Sequence, residues 1–89
     1  DGMGDVASEI LVRVNSMPGL RGEMDSSKSI GRRYARIDEI GVPWAITVDH
    51  ETLENGSVTM RRRDDQKQVR ASIDDVVSNL AAGTVSSLF

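Results

Sequence analysis

Cysteine is absent from the 89 residues, which excludes a disulfide framework, a thiolate zinc site and a thiol nucleophile. No run approaches the roughly 20 apolar residues that a membrane-spanning helix needs. The first residues show no basic region followed by an apolar one. Histidine occurs once, as His50 between Asp49 and Glu51, with no second nitrogen ligand to share a metal and every appearance of an exposed loop residue. Proline occurs twice and aromatic residues make up only 3%. The net charge of −3 argues against a protein that coats nucleic acid through bulk charge, so any such role needs positive charge gathered on one face.

What is present is an ordinary globular balance, 38% hydrophobic and 28% charged, in a length that suits one small domain. The chain opens on Asp1 rather than methionine, and a piece of a longer protein is therefore expected. Met3, Val6, Ala7, Ile10, Leu11 and Val14 follow the helical i, i+3, i+4, i+7 series, and Pro18-Gly19 ends it. Leu20 to Asp25 reads as a short strand. Ser29 is placed to cap a second helix from Ile30 to about Ile40, with Ile30, Tyr34 and Ile37 on its inner face. Arg32 and Arg36 would lie on the outer face and Arg33 on the flank. Gly41 would close that helix and Pro43 prevent its continuation.

Trp44 to Val48 is apolar at nearly every position, as a strand covered on both faces would be. Asn55-Gly56 signals a turn, and Val58 and Met60 alternate with polar neighbours in an antiparallel strand. Arg61 to Asp65 makes a charged turn, after which Val69, Ala71 and Ile73 alternate once more. If the strand persists through the arginines, Arg62 points away from Arg61 and Arg63. Ser72 begins a capping box for a last helix striped by Ile73, Val76, Val77 and Leu80 and closed by Gly83. The expected order is α-β-α-β-β-β-α, an α/β domain on a mixed, mostly parallel sheet. A helix that opens such a unit normally follows a strand, so a preceding strand is expected to be missing.

Catalytic patterns are lacking. Gly31-Arg32-Arg33 has the spacing of neither a P-loop nor a dinucleotide fingerprint, and Ser26, Ser27 and Ser29 have no placed base. Asp64-Asp65 and Asp74-Asp75 suit a salt-bridged turn and a first helical turn better than a metal. No residue is assigned to catalysis or to a metal. The distinctive feature is basic: Lys28, Arg32, Arg33 and Arg36 fall within nine residues without an acid, and Arg61 to Arg63 form a second cluster. Brought together, they would suit RNA phosphates or unpaired bases. A solvated face has the same composition, and the few rings build no stacking platform.

Ser-Ile-Gly-Arg-Arg-Tyr-Ala-Arg (29–36) followed by Asp-Glu-Ile-Gly-Val-Pro (38–43) resembles the C-terminal anticodon-binding domain of class II aminoacyl-tRNA synthetases. More narrowly, it looks like the glycyl enzyme of the eukaryotic and archaeal type. Ile-Thr-Val-Asp (46–49), Arg61-Arg62-Arg63-Asp64 and Gln68-Val69-Arg70 extend the resemblance. It implies a three-layer α/β/α fold whose first strand would precede Asp1, so that residues 1–89 are an N-terminally truncated domain. It implies a parent that attaches glycine to glycine tRNA with ATP and magnesium on an upstream catalytic domain, with no cofactor on this segment. This segment would hold the anticodon stem-loop through Arg32, Arg33, Arg36, Arg61 and Arg63, with Ile30, Tyr34, Ile37, Gly41, Pro43 and Trp44 as scaffold. Such parents are usually homodimers of the cytoplasm, mitochondrion or plastid, without a membrane or DNA partner. A non-catalytic, synthetase-derived scaffolding module is the alternative.

Overall fold

The computed structural model describes residues 2–25, 31–62 and 66–89. The elements run α1 (Gly2–Asn15), β1 (Leu20–Met24), β2 (Arg32–Glu39), β3 (Val42–Asp49), α2 (His50–Asn55), β4 (Ser57–Arg62), β5 (Gln68–Ser72) and α3 (Ile73–Ala82), closed by a 3-10 turn at Val85–Leu88. The five strands form one sheet in sequence order, each antiparallel to its neighbour. This corrects the expected mixed, mostly parallel sheet. Consecutive strands joined by short connections pair antiparallel, because only a long crossover can return a chain to start a parallel neighbour.

The second correction lies at the arginine-rich stretch, where a strand replaces the expected helix. Residues 32–39 carry two periods at once. Tyr34 and Ile37 suit a helix, but Ala35 and Ile37 also alternate with Arg36 and Asp38, and pairing β2 with both β1 and β3 selects the alternation. Ile40 and Gly41 then form the tip of a tight hairpin, both with positive φ (48° and 85°). A two-residue hairpin of the type I′ kind requires that conformation at both positions, and Gly41 supplies half of it without strain. The glycine expected to stop a helix instead reverses a strand.

Other boundaries follow local chemistry. Helix α1 buries Met3, Ala7, Ile10 and Val14. The stretch after β3, expected as a loop, is the short helix α2, with Asp49 and Thr52 forming a reciprocal capping box and Gly56 a left-handed cap. Ser72 Oγ accepts from Asp75 N at 3.1 Å to start α3, and Gly83 ends it.

Strand alternation places one apolar core between the sheet and the helices. Ala35 and Ile37 from β2, Trp44, Ile46 and Val48 from β3, and Val58 and Met60 from β4 are all buried there. They pack with Ile10 and Val14 of α1, Val76 and Leu80 of α3, and Val85. Burying each valine, leucine, isoleucine or methionine among them contributes roughly 1.5–3 kcal/mol. Strand β3 is therefore covered on one face: Ala45 and Thr47, between its buried residues, are half-buried on the other. The arrangement has two layers, not the expected three, and among the described residues no helix packs on the second sheet face.

Candidate nucleic-acid interface

That uncovered face is built by the even-numbered residues of β2 and their register partners. Arg32, Tyr34, Arg36 and Asp38 stand opposite Asp49, Thr47, Ala45 and Pro43. Strand β4 adds Thr59 beside Thr47 and Arg61 beside Ala45, and β5 adds Gln68 and Arg70. On the far side, β1 sets Arg21 against Asp38 and Glu23 against Arg36. One row therefore reads Glu23, Arg36, Ala45, Arg61 and Gln68 across all five strands. Arg36 and Arg61 flank the small Ala45 from two strands apart, roughly 10 Å at ordinary strand spacing. Arg32 lies four residues along β2 from Arg36, on the order of 13 Å.

Charge on this face is only partly cancelled. Arg36 Nε donates to Asp25 Oδ2 at 3.2 Å. Asp49, across from Arg32, is occupied elsewhere: Arg70 Nη2 reaches its Oδ1 at 2.9 Å and Nη1 its Oδ2 at 3.1 Å. The Arg70 hydrogen bonds hold the Asp49 carboxyl down to about 2, against burial that would raise it and with help from the Thr52 amide. Asp49 in turn raises Arg70. Arg70 also meets Ser57 Oγ (2.7 Å), Thr59 Oγ1 (3.2 Å) and Glu51 Oε2 (2.9 Å), a saturated guanidinium that ties β5 to the β3–α2 corner. Among the described residues, Arg32 and Arg61 make no ion pair and stand exposed.

Of the five arginines singled out in the sequence, the sheet brings Arg32, Arg36 and Arg61 onto one face. Arg33 is turned to the helix side, half-buried, with Nη1 donating to the Arg32 carbonyl at 2.7 Å. Arg63, like Lys28, Ser29 and Ile30, lies outside the described residues. Arg62 points oppositely to Arg61: its guanidinium lies 5.4 Å from the Trp44 and Phe89 ring centroids, rings stacked 5.6 Å apart.

Among the residues assigned to scaffold, Ile37 and Trp44 are buried, Gly41 turns the hairpin and Pro43 sits half-buried opposite Asp38. Tyr34 departs from expectation. It stands on the open face between Arg32 and Arg36, half-buried, so the tyrosine assigned to the core shares a surface with the arginines. Sequence reasoning also passed over Asp25 and Arg70. The alternation Arg32-Tyr34-Arg36 against Arg33-Ala35-Ile37 was the available signal for Tyr34; nothing local marks Asp25.

An exposed sheet face carrying separated guanidinium groups, hydroxyls and one tyrosine ring can grip phosphates and offer a ring to an unpaired base. Comparison with known proteins gives the family. Residues 11–82 match the family described as "Anticodon binding domain". The chain is 64% identical over 62 residues, 70% of its length, to a glycine–tRNA ligase of Methanothermobacter thermautotrophicus. It is 50% identical over 82 residues, 90% of its length, to that of Methanocaldococcus jannaschii. With a putative glycine–tRNA ligase of Schizosaccharomyces pombe it shares 55% identity over 58 residues, 65% of its length. The matched segments are 11%, 14% and 9% of those three relatives, so the chain spans about a tenth of their length. No solved structure gives a significant match. A match over residues 11–82, joined to this identity with several relatives, makes the chain a member of the anticodon binding domain family.

Proposed function

We propose that this domain holds the anticodon stem-loop of a glycine tRNA on its open sheet face, as the recognition part of a glycine–tRNA ligase. The observation that carries the reading is the gathering of Arg32, Arg36 and Arg61 on one uncovered face of a chain whose net charge is −3. Such a local patch attracts a polyanion where the whole molecule would not. The backbone of the loop meets the three guanidinium groups, and Tyr34 offers its ring to an unpaired base. Ligation belongs to the parent's catalytic domain, where ATP and magnesium act, and the parent works as a homodimer of the cytoplasm, mitochondrion or plastid.

The test is a titration of the 89-residue chain with a labelled glycine tRNA anticodon stem-loop across a range of salt. Each phosphate contact contributes roughly 0.7–0.9 to the slope of log affinity against log salt. Arg36→Glu combined with Arg61→Glu is expected to weaken binding and flatten that slope by about 1.5. Unchanged affinity and slope would mean that the arginines are only solvated. A stem-loop with altered anticodon bases, run in parallel, separates base reading from backbone attraction.

A further inference from the structure

Arg36 differs from Arg32 and Arg61 in being held. Its Nε donates to Asp25 Oδ2 at 3.2 Å, and the two side chains are 52% and 16% exposed. The acid is the better anchored partner. Its backbone N donates to the Tyr34 carbonyl at 3.0 Å, extending the β1–β2 pairing by one residue. Glu23 faces Arg36 directly in the strand register yet makes no ion pair with it. The fold thus selects the diagonal acid over the facing one.

A hydrogen bond on Nε engages one edge of the guanidinium and leaves the Nη1–Nη2 edge. Among the described residues that edge has no acceptor. It is a planar fork, the geometry that meets a phosphate with two parallel hydrogen bonds. Arg36 also borders a cleft of about 730 Å³, shared with Arg21, Glu23, Asp38 and Pro43 at one end of the open face. Room for a ligand therefore adjoins Arg36.

We propose that Asp25 is a positioning residue for RNA binding: it fixes the Arg36 guanidinium so that the Nη edge meets one phosphate of the bound loop bidentately. The inference rests on the reading of the open face as the RNA face. Removing an acid beside an RNA-binding surface strengthens binding if charge alone matters, because repulsion falls. Removing an acid that aims the contact arginine weakens it, because a long side chain must then be ordered by the ligand itself.

The experiment is the stem-loop titration repeated with Asp25→Ala, Asp25→Asn, Arg36→Ala and the Asp25→Ala/Arg36→Ala pair, at a temperature where circular dichroism melts show every variant folded. Asp25→Ala is expected to weaken binding roughly three- to tenfold, the loss of a well-aimed charge-assisted contact. Asp25→Asn, whose amide oxygen still accepts from Nε, is expected to stay within about twofold of the parent chain. In the Arg36→Ala background, Asp25→Ala is expected to cause no further loss. Should Asp25→Ala not fold, Asp25→Leu in the parent and Arg36→Ala backgrounds takes its place in the same cycle. Equal or tighter binding by the Asp25 variant, or an equal loss with and without Arg36, overturns the positioning role alone. Failure of the unsubstituted chain to bind the stem-loop overturns the anticodon reading, and this inference with it.

Discussion

Replacing Arg70 with glutamine tests whether the open face is pinned by one side chain. Arg70 makes a bidentate pair with Asp49 (2.9 and 3.1 Å) and further contacts to Ser57, Thr59 and Glu51. Its side chain is 28% exposed and that of Asp49 26%, so water reaches the partners and no buried charge is stranded by the change. The loss is accordingly a net one, about 2 kcal/mol at neutral pH, well short of the sum of the individual bonds. In urea that lowers the midpoint by about 1–2 M for a domain of this size. Trp44, buried and the only tryptophan, reports the transition by fluorescence. The pH dependence adds a sharper check. Asp49 falls from the ordinary 3.8 to about 2 in the folded chain. A folded value below the unfolded one contributes stability that is full above about 3.8 and is lost as pH falls towards 2. After allowance for solvent screening this amounts to about 1–2 kcal/mol. The gap between the parent chain and Arg70→Gln is therefore expected to narrow between about pH 4 and 2, leaving what the Ser57 and Thr59 contacts contribute. Equal midpoints at neutral pH, or a gap that does not change with acid, would refute the pinning role.

Two other substitutions probe the framework that presents the face. Ile40 sits at the hairpin tip with φ of 48° and 84% exposure, so Ile40→Asn relieves left-handed strain while giving up little packing. It is expected to stabilise the domain by about 1 kcal/mol, a rise in melting temperature of about 4–8 °C; an unchanged or lower value would show that the isoleucine packs usefully against the neighbouring turn. Gly22→Ala has the opposite outcome, because a Cβ there would lie 2.6 Å from Leu11 Cδ2 and 3.0 Å from Ile37 Cδ1. Pushing α1 away from β1 is expected to cost about 1–3 kcal/mol in a urea melt, and a cost near zero would mean that the Leu11 side chain simply moves aside.

The outer helices were legible because their periodicity is unambiguous. Helix α1 has a six-residue apolar stripe, and α3 has both a serine cap and a terminal glycine. Strands β4 and β5 declared themselves through strict alternation at Val58 and Met60 and at Val69 and Ala71. The apolar run at Trp44–Val48 announced a strand but misled on its cover: it read as buried on both faces, whereas Ala45 and Thr47 are only half-buried on the face that no described helix packs against. Sheet direction was not written locally at all. It depends on which strands become neighbours, a property of the whole chain.

Residues 32–39 hold the main lesson. Composition and order alone determined that this stretch is basic and that a break follows at Gly41-Val42-Pro43, while its resemblance to anticodon-binding domains pointed to the family that the match over residues 11–82 shows. They could not determine which arginines act together. A helix would carry Arg32 and Arg36 on one side with Arg33 at their flank. A strand sends neighbours to opposite faces, and so separates Arg33 from Arg32 and brings Tyr34 between Arg32 and Arg36. The pairing of β2 with β1 and β3 decided between those outcomes, and the same pairing brought Arg61 level with Arg36 and Asp25 within reach of it. Local sequence supplied the charges, and long-range hydrogen bonding chose the surface that displays them.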